Sequence, residues 1–475
     1  MSSRRLFILA LLGLFSLAAC SPGSGANTPE GNEPSARPEP VERSCQPRTC
    51  EQLGARCGPT QDGCGGALEC GTCPEGLTCG GEGLRNLCLA RSDTRSISWL
   101  KTFQEPVSAL ATDSQANTVL FTRTTAGAAP TQLGPDGRVL WSRPGVSWLI
   151  SFSGLSVAPV TGELLAWGWR EGEDGPGSSI AYGFDATGNR ATLIGRCGDT
   201  CTVGPYFKDA AGNLLEFHTG FVDSGIHYER PDGTGWSLSR VYIGAPQMPF
   251  DFGDAVFDAQ GNVLVAASLG DEGSFQGRTF GAAGQFTLIV LKLSSQGGLL
   301  WAREIPASSG RLDHLGVSSS GQVVVQGYFN GWLAWPGGEV LRSSQGGDAF
   351  LMSLDAEGRP SWLHLLPPNP SSRYLLSVSP SGRSAVVLEA VTTGASGPFS
   401  MHAREYDAGG QLLWNRTWSP ITSPGRIQPT GVAWSGEDVV LGGQFNGAVD
   451  FGTGVQQGPV DSSKAMGFVL KLHHP

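Results

Sequence analysis

Leu354-Asp-Ala-Glu-Gly-Arg-Pro-Ser-Trp362 decides the fold, because the same phrase returns along the chain. It recurs as Leu133-Gly-Pro-Asp-Gly-Arg-Val-Leu-Trp141, Leu293-Ser-Ser-Gln-Gly-Gly-Leu-Leu-Trp301 and Tyr406-Asp-Ala-Gly-Gly-Gln-Leu-Leu-Trp414. Apolar residues before the turn suit a half-buried strand, and Trp closes a second one. Asp or Ser at the turn's first position caps a backbone N–H, and Gly takes the positive φ that follows. A second phrase alternates with the first and lacks Trp. It reads Val256-Phe-Asp-Ala-Gln-Gly-Asn-Val-Leu-Val265, then Val317–Val325, Val378–Val386 and Val432–Val440. The Val-rich hairpin suits inner strands and the Trp hairpin outer ones, and two hairpins make a four-stranded blade.

Trp anchors fall at Trp99, Trp141, Trp236, Trp301, Trp362 and Trp414, and the long interval after Trp141 holds a degenerate copy, Phe184–Leu193. The expected fold class is all-β: a single propeller of about seven four-stranded blades, each about 54 residues. The ends predict closure. Gly467-Phe-Val-Leu-Lys-Leu472 is the first half of a Trp hairpin, and Ser96-Ile-Ser-Trp99-Leu-Lys-Thr-Phe103 is the second half of one. Their pairing would make the termini share one blade and remove two exposed edges.

A third piece sits between hairpins, as in Phe329-Asn-Gly-Trp-Leu-Ala-Trp335 and Phe445-Asn-Gly-Ala-Val-Asp-Phe451, with a shortened copy at Phe275–Phe280. With Gly347–Gly358 after it, it resembles the β-propeller repeats of bacterial secreted proteins abundant in myxobacteria. The resemblance spans roughly residues 95–475, is best from 256 onward, and implies a fold rather than an activity. The Trp phrases are also similar to the repeats of quinoprotein-type propellers, including outer-membrane assembly lipoproteins.

Arg4 and Arg5 precede an apolar run from Leu6 to Leu17, too short for an ordinary transmembrane helix and typical of a signal peptide over residues 1–19. Leu17-Ala-Ala-Cys20 resembles the bacterial lipobox, which implies acylation of Cys20. Ser21 behind it implies, by analogy, outer-membrane sorting. Residues 20–44 are rich in Pro, Glu, Gly and Ser, a composition too polar to fold, and act as a disordered tether. A tether of this length spans about 27 Å r.m.s..

Eight of the eleven cysteines then crowd into one short stretch: Cys45, Cys50, Cys57, Cys64, Cys70, Cys73, Cys79 and Cys88. In an exported chain they read as four disulfides of a small module at residues 45–90, with the connectivity open. A zinc site at Cys70-Gly-Thr-Cys73 lacks a second close ligand pair. The run Asp62–Cys73 resembles cysteine-rich modules at the front of many myxobacterial secreted proteins. Cys197 and Cys201 read as a local disulfide where two strands meet. Bridges are expected within each group only, the module standing apart from the propeller at 95–475.

A net charge of −10 argues against nucleic-acid partners. No nucleophile elbow, zincin motif, phosphate loop or cofactor-binding motif is present, so the chain reads as a non-enzyme without cofactor. The seven histidines lie far apart, and His473-His474 read as an exposed, inert tail. The function expected is a lipid-anchored envelope protein, periplasmic or surface-exposed, whose propeller binds or scaffolds. Its partners would be the membrane, through the anchor, and a polysaccharide or protein ligand. Tyr328, Phe329, Trp332 and Trp335 form the candidate aromatic surface, core packing being the competing role. Two alternatives stay open: an enzyme acting on polysaccharide or peptide, betrayed by close carboxylates at the channel mouth, and an outer-membrane assembly component, betrayed by an apolar groove or open sheet edge.

Overall fold

The structure is a computed structural model describing residues 47–474, apart from 54, 63, 65, 74–76, 80–87, 91–94, 126, 146–150, 171–177, 190, 198–200, 221–222, 242–249, 336–338, 345, 367–372, 393–398, 423–424 and 462. The signal, Cys20, the tether and Cys45 lie outside the described residues.

Among the described residues every element is a strand, and seven antiparallel four-stranded blades follow one another around a ring. In the fourth blade, Phe250–Phe257 pairs with Val263–Leu269, then Phe286–Leu293, then Leu299–Ala307. Val263–Leu269 is buried at all seven positions, whereas Leu299–Ala307 is buried at two. The Val phrases therefore turn between the two inner strands and the Trp phrases between the two outer ones, as their composition requires. Phe184–Leu193 supplies the outer turn of the second blade.

The ring closes as the ends predict. Met466–His473 pairs antiparallel with Ser96–Phe103, Gly467 opposite Phe103 and His473 opposite Ser96. The seventh blade thus takes three strands from the C-terminal end and its outer strand from the N-terminal end. Arg95, just before that strand, is 1% exposed. Its guanidinium grips both carboxylate oxygens of Glu405 in the sixth blade, one of them at 2.7 Å, and lies over the Trp434 ring.

The tryptophans explain why Trp and Gly recur together. Four of them reach under the outer turn of the next blade, where the indole N–H donates to a turn carbonyl: Trp99 to Pro135, Trp236 to Ser295, Trp301 to Ala356 and Trp362 to Ala408, at 2.9–3.2 Å. The turn glycine lies flat on the ring. A Cβ on Gly410 would sit 2.6 Å from the Trp362 ring. Where the second blade carries Leu193 instead, Leu193 is 50% exposed and nothing lies within 4 Å of a Cβ on Gly233.

The third recurring piece is an extra hairpin between the second and third strands of a blade, strapped onto the blade before it. Trp332–Ala334 and Val340–Arg342 extend the fourth blade through a bridge from Leu333 to Ala307. Ala448–Asp450 and Val455–Gln457 lie against the sixth blade, where Pro420 bridges Val449 and the Trp418 indole donates to the Phe451 carbonyl at 3.1 Å.

Cys50–Cys70 and Cys57–Cys79 are disulfides of the N-terminal module, and Cys64 and Cys73 are disulfide-bonded as well. Cys88 faces Cys79 across a strand pair, its side chain outside the described residues. The sulfurs of Cys57, Cys73 and Cys79 cluster within 4.8 Å, but all three are spent in disulfides, leaving no thiolate for zinc. The module does not stand apart. Arg48 pairs with Glu339 of the strap hairpin, and Cys88–Ala90 runs beside Leu412–Trp418, the edge strand of the sixth blade. An edge strand otherwise open to foreign pairing is thereby covered.

Candidate functional site

The innermost strands carry bulges at the same depth in several blades, between Val107 and Ala109, Phe152 and Gly154, Phe252 and Asp254, Leu312 and His314, and Pro429 and Gly431. A bulge re-aims one side chain and lets neighbouring strands crowd at the axis. They line a central cavity of about 1290 Å³. Its most distinctive group is Asp254, whose carboxylate accepts the N–H of Ala255 at 2.9 Å and, across the blade junction, the N–H of Leu315 at 2.8 Å. Burial in the channel wall pushes its pKa up to about 6, against the pull of His314 and those two N–H groups, with Asp313 adding to the rise.

A second concavity of about 1030 Å³ opens at the closure seam. Arg426 stands opposite Asn446 and Gln428 opposite Gln444 on the two innermost strands of the seventh blade. Residues two apart on a strand share a face, so these four side chains form one polar ladder. Gln444 donates to Gln428 at 3.0 Å. The Arg426 guanidinium stacks on Phe399 at 4.3 Å. Asn446 is 6% exposed, and its Oδ1 has no hydrogen-bond partner among the described residues. The first blade contributes Arg123 from across the seam, and Gln104, Glu105, Gln457 and Lys464 complete the rim.

The residues expected to present an aromatic surface divide. Phe329 is fully buried, edge-on to Phe350, and Trp335 packs on the same core. Tyr328 is half-buried under Arg311, its hydroxyl bonded to the Gly346 carbonyl. Trp332 is half-buried on the strap hairpin. Cys197 ends the outer strand of the second blade and Cys201 opens the inner strand of the third, their side chains outside the described residues. His364 packs against the rings of both Trp362 and Tyr406 with Nε2 2.6 Å from the Gly410 carbonyl, and burial lowers its pKa. His473 is exposed yet not idle: its Nδ1 lies 2.9 Å from Asp438, which also accepts the His474 backbone N–H.

The seam groove escaped the sequence reading. Arg123 and Arg426 meet only through ring closure. The available signal was the polar alternation in Arg426-Ile-Gln428 and Gln444-Phe-Asn446, on strands that are otherwise apolar or small.

Ring, closure and rim module together define a seven-bladed β-propeller protein. No protein-family model matches the chain, and no curated protein is similar to it in sequence. Among solved structures it is similar to hydrazine synthase of Kuenenia stuttgartiensis, with a TM-score of 0.44 and 11% identity over 76% of this chain and 97% of that one. It is also similar to the WD40 domain of Toxoplasma gondii coronin, at 0.42 and 10% over 80% and 88%. The propeller domain of the Pyrococcus furiosus trilobed protease gives 0.42 and 8% over 76% and 99%. Likenesses at this level bear on no function.

Proposed function

We propose that this chain is an envelope lipoprotein whose propeller binds or scaffolds a ligand, held near the outer membrane by acylated Cys20 and the tether at 20–44. The observation that carries the binding reading is the seam groove, where donor and acceptor side chains from two blades face one space. Export and anchoring rest on the lipobox-like Leu17-Ala-Ala-Cys20, and the disulfides of the rim module suit an oxidising compartment. Acyl chains contribute about 0.8 kcal/mol per buried CH₂, so more than one is needed for a stable anchor.

A hydrolytic reading has one observation in its favour, the raised pKa of Asp254 in the channel. Both of its carboxylate oxygens, however, are engaged by backbone N–H groups, and the one from Leu315 ties two blades together.

Two measurements test the proposal. Wild-type protein should fractionate with membrane and Cys20→Ser should not; a processed Cys20→Ser protein that stays with the lipid overturns the anchor. Purified protein incubated with envelope polysaccharide and peptide fractions should retain ligand without releasing reducing ends or new amines. Product release that disappears in Asp254→Asn would replace binding by hydrolysis.

A further inference from the structure

We infer that the seam groove is a site for an acidic saccharide chain, held through its carboxylates by Arg123 and Arg426 and through its hydroxyls by the amide ladder. The inference rests on the binding reading above and names its ligand class.

Three observations on the groove converge. First, neither guanidinium has a carboxylate partner among the described residues, although the chain as a whole is acidic at −10. Arg426 is held in place by the Phe399 ring, and a pre-oriented guanidinium gives two parallel hydrogen bonds to a carboxylate. With Lys464 against Glu105, the groove is locally cationic.

Second, the amides of Gln428, Gln444 and Asn446 each donate and accept. Sugar hydroxyls do both as well, so neighbouring hydroxyls match a row of amides better than a carboxylate-only ligand does. The Oδ1 of Asn446 points the same way. A buried carbonyl oxygen without a donor costs about 1–3 kcal/mol, and a ligand hydroxyl supplies the donor it lacks.

Third, the groove does not suit a peptide strand. The strand Asp438–Asn446 is paired on both sides, with Arg426–Ser435 and with Met466–His473, so its backbone offers no free edge for augmentation. At about 1030 Å³ the space is at the upper end of small-ligand pockets, which run to about 1,000 Å³, and suits several linked rings.

Calorimetry on the full-length protein in detergent provides the test, with oligogalacturonate as the acidic probe, a neutral oligosaccharide of equal length and poly-glutamate as comparisons. Oligogalacturonate should bind, the neutral chain about 100-fold more weakly, and added salt should weaken only the acidic probe. Arg123→Gln and Arg426→Gln should each lose about tenfold, with unfolding midpoints showing that Arg123→Gln leaves the fold intact. Asn446→Leu should weaken both sugars. Failure of the wild type to bind oligogalacturonate, or binding unchanged in Arg123→Gln, overturns the assignment. Tighter binding of poly-glutamate, lost in Arg123→Gln, makes the groove a site for acidic peptide and leaves the binding reading standing. Retention of an envelope ligand unaffected by any groove variant removes the groove from that reading altogether.

Discussion

Gly410 and Gly233 occupy equivalent turns with nearly equal φ, +82° and +79°, but only Gly410 is roofed by a neighbouring indole. Alanine at either position pays for a left-handed backbone, about 1–2 kcal/mol. At Gly410 the new methyl must also displace Trp362, adding about 1–3 kcal/mol as an overpacked contact does. Gly410→Ala should therefore be clearly more destabilising than Gly233→Ala in urea titrations. Equal losses would mean that the glycine serves the turn and not the indole. The turn phrase was legible because its parts are local: the Asp355 carboxylate accepts the N–H groups of Glu357 and Arg359 within the same turn. Its reason for ending in Trp was not legible, since that indole serves the next blade.

At the scale of elements, the inner strands of the fourth and fifth blades are joined by Asp254 to the Leu315 N–H. The carboxyl titrates near 6 in the folded ring against an ordinary 3.8. Between those values the unfolded chain gives up this proton first, so folding is favoured most below the ordinary range and loses ground as the pH rises through about 6. Asp254→Asn loses one acceptor but also that dependence. Relative to wild type, its unfolding midpoint should improve from pH 4 to pH 7; a constant difference would exclude a raised pKa. Hairpins, strand order and the division into inner and outer pairs were all readable from alternation and turn residues. The strap hairpins were visible as a repeat, but their placement was not, because a single strand bridge such as Leu333 to Ala307 leaves no pattern in the sequence. For the same reason Phe329 read as a candidate surface residue, with core packing the competing role, until its partner Phe350 was in view.

At the scale of the whole molecule, Arg95 does for the last junction what indole and glycine do for five of the other six. The closing blade has no outer turn, because the chain ends meet there, and Arg95 instead spans Glu405, the Leu472 carbonyl at 3.5 Å and the Glu437 carbonyl at 3.0 Å. Both partners of the ion pair have side chains only 2% exposed. Removing one leaves the other buried and uncompensated, at about 3–5 kcal/mol, whereas replacing both by apolar residues is often close to neutral. Arg95→Met should thus be markedly less stable than Arg95→Met with Glu405→Leu. A double variant no better than the single would mean that the arginine acts through Trp434 and the carbonyls alone. Closure was anticipated from the two half-hairpins at the ends, but the arginine was not, since nothing near Arg95 in the sequence announces a glutamate in another blade.

The shared blade also sets a timetable. Ser96–Phe103 leads the ring and its partner Met466–His473 closes it, so the first strand must wait, unpaired, until the rest of the propeller is in place. Six blades can assemble each from neighbouring sequence, while the seventh cannot form until both ends of the ring have met. A chain lacking Met466–His473 keeps Ser96–Phe103 without a mate and leaves the ring with an open edge.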